Sequence, residues 1–537
     1  MRLAFFSALA IGLLAQANAA ETLRYVALVD NGTKAGHQIV VQGDDGVTRV
    51  DFIFKDNGRG PELKEEFTLG PDGAYLRYAV KGTSTFGAPI DETFRRDGDR
   101  AKWKSTSDEG DLAVSGTALY APLGGTPAGF SVTLGAIAKR GDAKMPLIPG
   151  GTLSIRKVAQ ADVSRGRDRR KVALMQITGI GLSPTFIWAT TGAKPRLFAQ
   201  IVPGYLQLIE DGWEPNAKAL ETRQKKAEGE VVRAMQKRLA HPIAGTALIR
   251  NARVFDSKAA KLGPASDVLL RNGRIVSVTA TGKRRLKVRH VVDAGGRVLL
   301  PGLFDMHAHI GKWEGGLNIA AGVTTVRDLG NDNATLLQIA AQERTGTLMM
   351  PRIVAAGFIE GKSKMSASGG FTVATLAEAK KAVDWYAKRG FPQIKIYNSF
   401  PKEHVRATAA YAHGKGLRVS GHVPAFMRAE QIVEQGYDEI QHINQVLLNF
   451  FVTETTDTRT LERFYLPAEK TESLDFDSKP VKDFITLLAR KQTVIDPTLT
   501  TFDFLRQRAG TLSQTLAAVA DHLPPDIQRG LRVAEMN

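Results

Sequence analysis

Polar and apolar positions alternate with a period of two over most of residues 21–215, the pattern of half-buried β-strands. Turn signals interrupt it at short intervals. Gly43-Asp44-Asp45-Gly46 separates 38–42 from 47–54, Pro71-Asp72-Gly73 separates 66–68 from 74–80, and Asp97-Gly98 follows 92–96. These are hairpin signatures, and they predict an antiparallel β domain over residues 20–215. Residues 218–239 are rich in Ala, Glu, Lys, Gln and Arg and are closed by Pro242, which predicts a helical linker over 216–245. Period two then returns at 247–254, 267–271 and 274–278, with Asn272-Gly273 as a type I′ turn. This predicts a small β-sandwich unit over 246–298.

From residue 299 the period changes again. Short apolar strands are expected at 299–304, 324–326, 352–355, 394–397, 418–420, 439–441 and 493–495. Helical patterns lie between several of them, at 376–389, 402–415 and 427–434, and Gly390, Gly416 and Gly436 follow these helices where a C′ glycine belongs. Alternating strands and helices imply a parallel sheet. The expected fold is therefore multidomain, ending in an incomplete TIM-like (β/α) barrel over 299–537 with seven of eight strands. The stretches 357–370 and 444–480 follow barrel strands and are lid candidates.

Three global features narrow the chemistry. Arg2, the apolar run 3–14 and Ala17-Asn18-Ala19 make a positive start, a short apolar core and a cleavage site. That predicts a signal peptide over 1–19 and a periplasmic or secreted protein. There is no later run of about 18 apolar residues, so no stable membrane insertion is expected. The absence of cysteine excludes disulfides and thiolate ligands, so any metal must be held by His, carboxylate or something less usual. The 72 Lys and Arg outnumber the 55 Asp and Glu, but they are dispersed. A solvated basic surface, with no nucleic-acid partner, is the expected reading.

His307-Ala308-His309 falls at the end of the first barrel strand, where residues i and i+2 point the same way. Alone, this pair is weak evidence. His422 follows the strand 418–420, His442 ends 439–441, and Lys395 lies inside the apolar strand 394–397. All five fall near strand C-termini, the face on which barrels build active sites. An unpaired ammonium buried in mid-strand is costly, so Lys395 calls for a special reason. Tyr397 shares its direction and could contact substrate or merely pack.

The run Leu300-Pro301-Gly302-Leu303-Phe304-Asp305-Met306-His307-Ala308-His309 resembles the first-strand signature of the amidohydrolase superfamily. Gly322-Val323-Thr324-Thr325-Val326-Arg327-Asp328 resembles the second strand of its imidazolonepropionase-like and prolidase-like branch. Ile394-Lys395-Ile396-Tyr397, Gly421-His422-Val423-Pro424 and Gln441-His442-Ile443 resemble the fourth, fifth and sixth strands, and Asp496-Pro497-Thr498-Leu499 the end of the seventh. The resemblance covers residues 246 to the end. It implies two divalent metal ions, commonly zinc, one on His307 and His309 and the other on His422 and His442. It also implies that Lys395 is carboxylated by carbon dioxide and bridges both. The implied activity is hydrolysis of a carbon–nitrogen bond, in a dipeptide-like or cyclic amide, through a metal-bridging hydroxide.

One expected group is absent. The family's eighth strand ends in an aspartate that binds one ion and serves as the base, usually in a Gly-Thr-Asp-like run, and none follows Thr498. The sequence therefore reads as a truncated version of a longer enzyme and is not expected to hydrolyse efficiently by itself. The alternative is a non-catalytic binding protein with an inert barrel.

Overall fold

The computed structural model describes residues 21–29, 32–282, 288–505, 507–512, 514–534 and 536. The expected leader at 1–19 lies outside the described residues. Two compact units form. Among the described residues, the first takes those up to Thr222 and those from Phe502 onward, and the second is Arg223–Thr501. No helix among the described residues is long and apolar enough to cross a membrane.

The first unit is a sheet of fifteen strands among the described residues, running from Glu21–Leu28 to Leu206–Glu210. Nearly every strand pairs with its neighbour in sequence, as short hairpin turns dictate. Glu21–Leu28 joins the two halves of the sheet by pairing antiparallel with Leu206–Glu210, Leu119–Tyr120 pairs parallel with Lys144–Ile148, and Glu109–Ala113 and Leu119–Tyr120 are the ends of the sheet. Alternation puts Phe52, Phe54, Tyr75, Tyr78 and Tyr120 in one buried core. The helix Gly129–Arg140 packs Val132, Leu134 and Ala136 against them. The period-two reading did not predict this helix. It ends at Gly141, which is left-handed (φ 69°) and donates its N–H to the Ile137 carbonyl.

In the second unit, Thr246–Asp256 lies antiparallel to Lys261–Arg271, which pairs with Arg274–Ala280. Asn272 and Gly273 both have positive φ (48° and 75°), as a type I′ turn requires. His290–Asp293 and Val298–Leu299 add parallel to the far edge of Thr246–Asp256, giving one small mixed sheet.

The barrel strands are β1 (Leu303–Ala308), β2 (Val323–Asp328), β3 (Arg352–Gly361), β4 (Gln393–Ile396), β5 (Arg418–Gly421), β6 (Glu439–Gln441) and β7 (Val494–Asp496). They pair in parallel in that order. The first strand begins four residues later than the 299 expected, because Val298–Leu299 is taken by the small sheet. Pro301, which has no N–H to donate, separates the two. β3 is longer than expected and absorbs Gly357–Gly361, so only the remainder of that glycine-rich stretch is loop.

Along β4, Ile394 and Ile396 are buried in the hydrophobic cluster shared with the surrounding helices, and Lys395 alternates to the opposite face. The same alternation in Glu439-Ile440-Gln441 puts polar groups inside the barrel. They are hydrogen-bonded there: Gln393 and Gln441 each donate to Ser420 Oγ at 3.2 Å. β1 and β7 are the two ends of the sheet and do not pair with each other among the described residues. Yet His307 of β1 and Asp496 of β7 meet at 2.8 Å. The sheet is thus curled nearly closed. Leu303 and Phe304 stay 54% and 65% exposed on β1, the unpaired edge.

Candidate metal centre

The C-terminal ends of the strands gather all five proposed ligands. The His307 ring centroid lies 5.6 Å from His309 and 4.6 Å from His442, and His442 lies 4.7 Å from His422. Lys395 is fully buried beneath them. Tyr397 is half-buried, 4.1 Å from the His422 ring between centroids and 5.5 Å from Lys395 Nζ.

Each imidazole is held through Nδ1. His307 Nδ1 meets Asp496 Oδ2 at 2.8 Å, His309 Nδ1 the Gly330 carbonyl at 2.7 Å, and His422 Nδ1 Asn398 Oδ1 at 2.8 Å. Those three partners only accept, so the proton sits on Nδ1 and Nε2 keeps its lone pair. His442 Nδ1 contacts the Thr498 hydroxyl at 2.8 Å. Burial, then the neighbouring Lys395, pushes His307 down to about 2. His442 is also pushed down to about 2, and His309 and His422 lie below the usual range. The rings are neutral, the form that binds metal. Nε2 of His307 and of His422 is buried without a hydrogen-bond partner, a costly state unless a ligand completes it.

Among the described residues, no three His, Cys, Asp or Glu side chains group as ligands of one ion. Any metal held here would have fewer than three of these side chains per ion, and the charge of Lys395 is felt at all four rings. Burial pushes this amine down to about 7, against the pull of Asp328 and Asp496. A neutral amine is the nucleophile that carbamate formation needs.

Partners distant in sequence hold the candidate ligands. Arg327 donates to both oxygens of Glu439 at 2.7 Å and to Asp496 Oδ2 at 3.3 Å. This fork bridges β2 to β6 and β7, and so fixes the carboxylate that orients His307. Asp328 is buried and accepts from the N–H groups of Ile310 and Gly330 and from Asn331. That shapes the loop whose Gly330 carbonyl receives His309. His442 has φ +70° and Thr498 +49°, strained for residues with a side chain. Backbone bonds from His442 N to Asp496 O (2.7 Å) and from Ile443 N to Pro497 O (3.0 Å) hold this corner. Glu360, pushed up to about 7 by burial, accepts from the N–H groups of Gly361, Ala367 and Ser399 and ties the loops after β3 and β4. The 444–480 insertion contributes the buried Arg463, whose backbone carbonyl accepts from Asn444 and whose charge is felt at His422 and His442. Arg327 stood inside the second-strand motif with no role assigned to it, and Glu439, Asn398, Glu360 and Arg463 carried no site signal that sequence alone could single out.

If Asp496 orients His307, Asp496→Ala should weaken zinc binding by ~10–100-fold. Competition against a zinc-chelating dye measures this, and unchanged affinity would remove that role.

No family model matches the chain, and no curated protein does. Solved structures show a distant likeness to amidohydrolase and prolidase proteins. A Xaa-Pro dipeptidase with bound methionine is 18% identical over 55% of this chain and 80% of its own, with a TM-score of 0.37. A protein assigned as a prolidase from Bifidobacterium longum is 23% identical over 41% of this chain (TM-score 0.33), and bottromycin amidohydrolase is 23% identical over 42% (TM-score 0.33). The chain spans 60% and 48% of the length of those last two.

Proposed function

We propose that this chain belongs to an exported metal-dependent hydrolase acting on a carbon–nitrogen bond in a dipeptide-like or cyclic amide. The observation that carries the reading is the mouth of the barrel. Neutral imidazoles, each held through Nδ1, surround a fully buried lysine at the strand C-termini. His307 and His309 would hold one divalent ion, His422 and His442 a second, with carboxylated Lys395 shared between them. Such a pair of ions lowers the pKa of water and polarises a carbonyl. The chain's own part is to orient the rings through Asp496, Gly330, Asn398 and Thr498, and to keep the lysine out of water. Tyr397, beside His422, would be the side chain to contact the substrate.

The test is reconstitution with zinc, manganese or cobalt, metal analysis, and assay against dipeptides and cyclic amides. Two equivalents of metal per chain are expected in the unaltered protein and at most one in His307→Ala; because the base aspartate is absent from this sequence, hydrolysis is expected to be slow and to fall further in that variant. No metal uptake, or turnover unaffected by His307→Ala, would overturn the reading.

A further inference from the structure

The first unit contains a cavity of about 410 Å³ that the barrel chemistry does not use. Its volume falls in the ~300–1,000 Å³ range of small-molecule sites. The walls are mostly apolar, including Phe52, Phe54, Leu119, Phe130 and Leu153, with hydroxyl groups of threonine and tyrosine among them. Most of these side chains are buried, whereas Pro61, Thr85 and Tyr205 are partly or wholly exposed and form the mouth. Tyr205 is held over Phe54 edge to face, 5.1 Å between centroids.

Two polar groups break the apolar lining in an unusual way. Glu65 is 3% exposed. Its Oε2 accepts from the Thr126 N–H at 2.8 Å and from the Tyr78 hydroxyl at 3.2 Å, but Oε1 has no partner. Gln200 also lines the cavity, and its Oε1 is likewise buried and unpartnered. Burial pushes the Glu65 carboxyl up to about 7; in the ionised form present above that value one dry oxygen is expensive, and so is an unmatched amide oxygen. Both deficits have the same sign: each oxygen lacks a donor.

We propose that this cavity is a binding site for a small apolar molecule ending in a hydrogen-bond donor, an amine or a hydroxyl, with Glu65 receiving that end. The apolar body occupies the space between the sheet and the helix Gly129–Arg140, and the head faces the unpartnered oxygens. Neither Glu65 nor Gln200 lies in the unit that carries the metal centre. The site is therefore separate from the hydrolytic reading and does not depend on it.

Titration calorimetry of the full chain with n-octanol, n-octylamine and octanoate tests this, at a pH well above the raised Glu65 value so that the carboxyl is ionised. Nine or ten non-hydrogen atoms at roughly 30 Å³ each occupy about two thirds of such a volume. Octanol and octylamine should bind with one equivalent per chain, and octanoate at least tenfold more weakly, because its carboxylate would face Glu65. In Glu65→Gln the amide can donate, so octanoate should gain at least tenfold relative to octylamine. Leu153→Phe, which narrows the chamber, should weaken both donors together. Absence of binding by octanol and octylamine, equal affinity for octanoate and octylamine in the unaltered protein, or the same order of ligands in Glu65→Gln would each overturn the proposal. The comparison in the unaltered protein stands even if a variant fails to fold.

Discussion

Replacing Lys395 with methionine is expected to stabilise the metal-free protein while lowering its zinc affinity at least a hundredfold. The two effects have one cause. Lys395 is fully buried on the inner face of β4, and burial holds its amine at about 7, below the usual 10.5. The unfolded chain keeps this proton up to about 10.5, whereas the folded chain has released it above about 7. Between those values unfolding takes up a proton, so stability rises with pH across that window by about 1.4 kcal/mol per unit. Below pH 7 the whole penalty remains. Methionine is of similar length and carries no charge, so it removes the penalty. The gain should be full at pH 7 and below, shrink toward pH 10, and vanish above the ordinary lysine range. On the proposed reading, loss of the amine also removes the group that would be carboxylated, so metal uptake should fall. Thermal melts of chelator-treated protein at several pH values, with zinc titration beside them, check both arms. A methionine variant that melts lower at pH 7, or that binds zinc as tightly, would show that the lysine is a structural cation and not a ligand in waiting.

What could be read from the sequence follows from how far apart the interacting residues lie. The barrel strands and their histidines were legible because apolar alternation and strand ends are local signals. The first strand was displaced because Val298–Leu300 and Leu303–Phe304 are both short apolar runs, and only pairing to Thr246–Asp256 assigns the earlier one to the small sheet. The groups that hold the ligands were not legible. Asp496 lies 189 residues from His307, and Arg327 lies 112 from Glu439. Asp496 was visible as the end of a strand, but its hydrogen bond to a ring nitrogen depends on the curl of the whole sheet. Tyr397 illustrates the middle case. Its direction follows from Lys395 two residues earlier, while its approach to His422 needed the register of β4 with β5.

The tail poses the same problem at the largest separation, and it leads to the second expected result. Arg529→Met should cost ~3–5 kcal/mol, the usual penalty for leaving buried charges without their partner. Arg529 belongs to the helix Pro525–Gly530, whose first residue is a proline fitted to a helix start. Its Nε donates to Asp108 Oδ2 at 2.6 Å and its Nη2 to Asp108 Oδ1 at 3.2 Å, 421 residues away in sequence. Nη1 reaches the Ala121 carbonyl at 2.7 Å, and Nη2 lies 3.4 Å from Glu92. Glu92 is itself buried and accepts from the Tyr120 hydroxyl and the N–H groups of Leu123 and Gly124. Burial pushes Asp108 up, but hydrogen bonds from Arg529 and Ser105 outweigh it and hold the carboxyl below its usual range. Methionine fills the volume and supplies no charge, so both carboxylates lose their counter-ion.

The residues from Phe502 onward join the first unit from a distant part of the sequence, so the loss can appear as release of that segment before the sheet melts. Limited proteolysis of the tail and denaturant unfolding followed at Trp103, which donates to Asp108 at 3.2 Å, separate the two. Arg529→Lys keeps the charge without the fork and should fall between the variants. Adding Glu92→Gln to Arg529→Met should recover part of the loss, since an amide needs no cation. A wild-type unfolding curve and an intact tail in Arg529→Met would show that the ion pairs merely balance their desolvation. Tyr120 and Ala121, which Arg529 touches, also line the 410 Å³ cavity. Release of the tail should therefore weaken octanol binding as well, which ties the stability of this clamp to the cavity's proposed use.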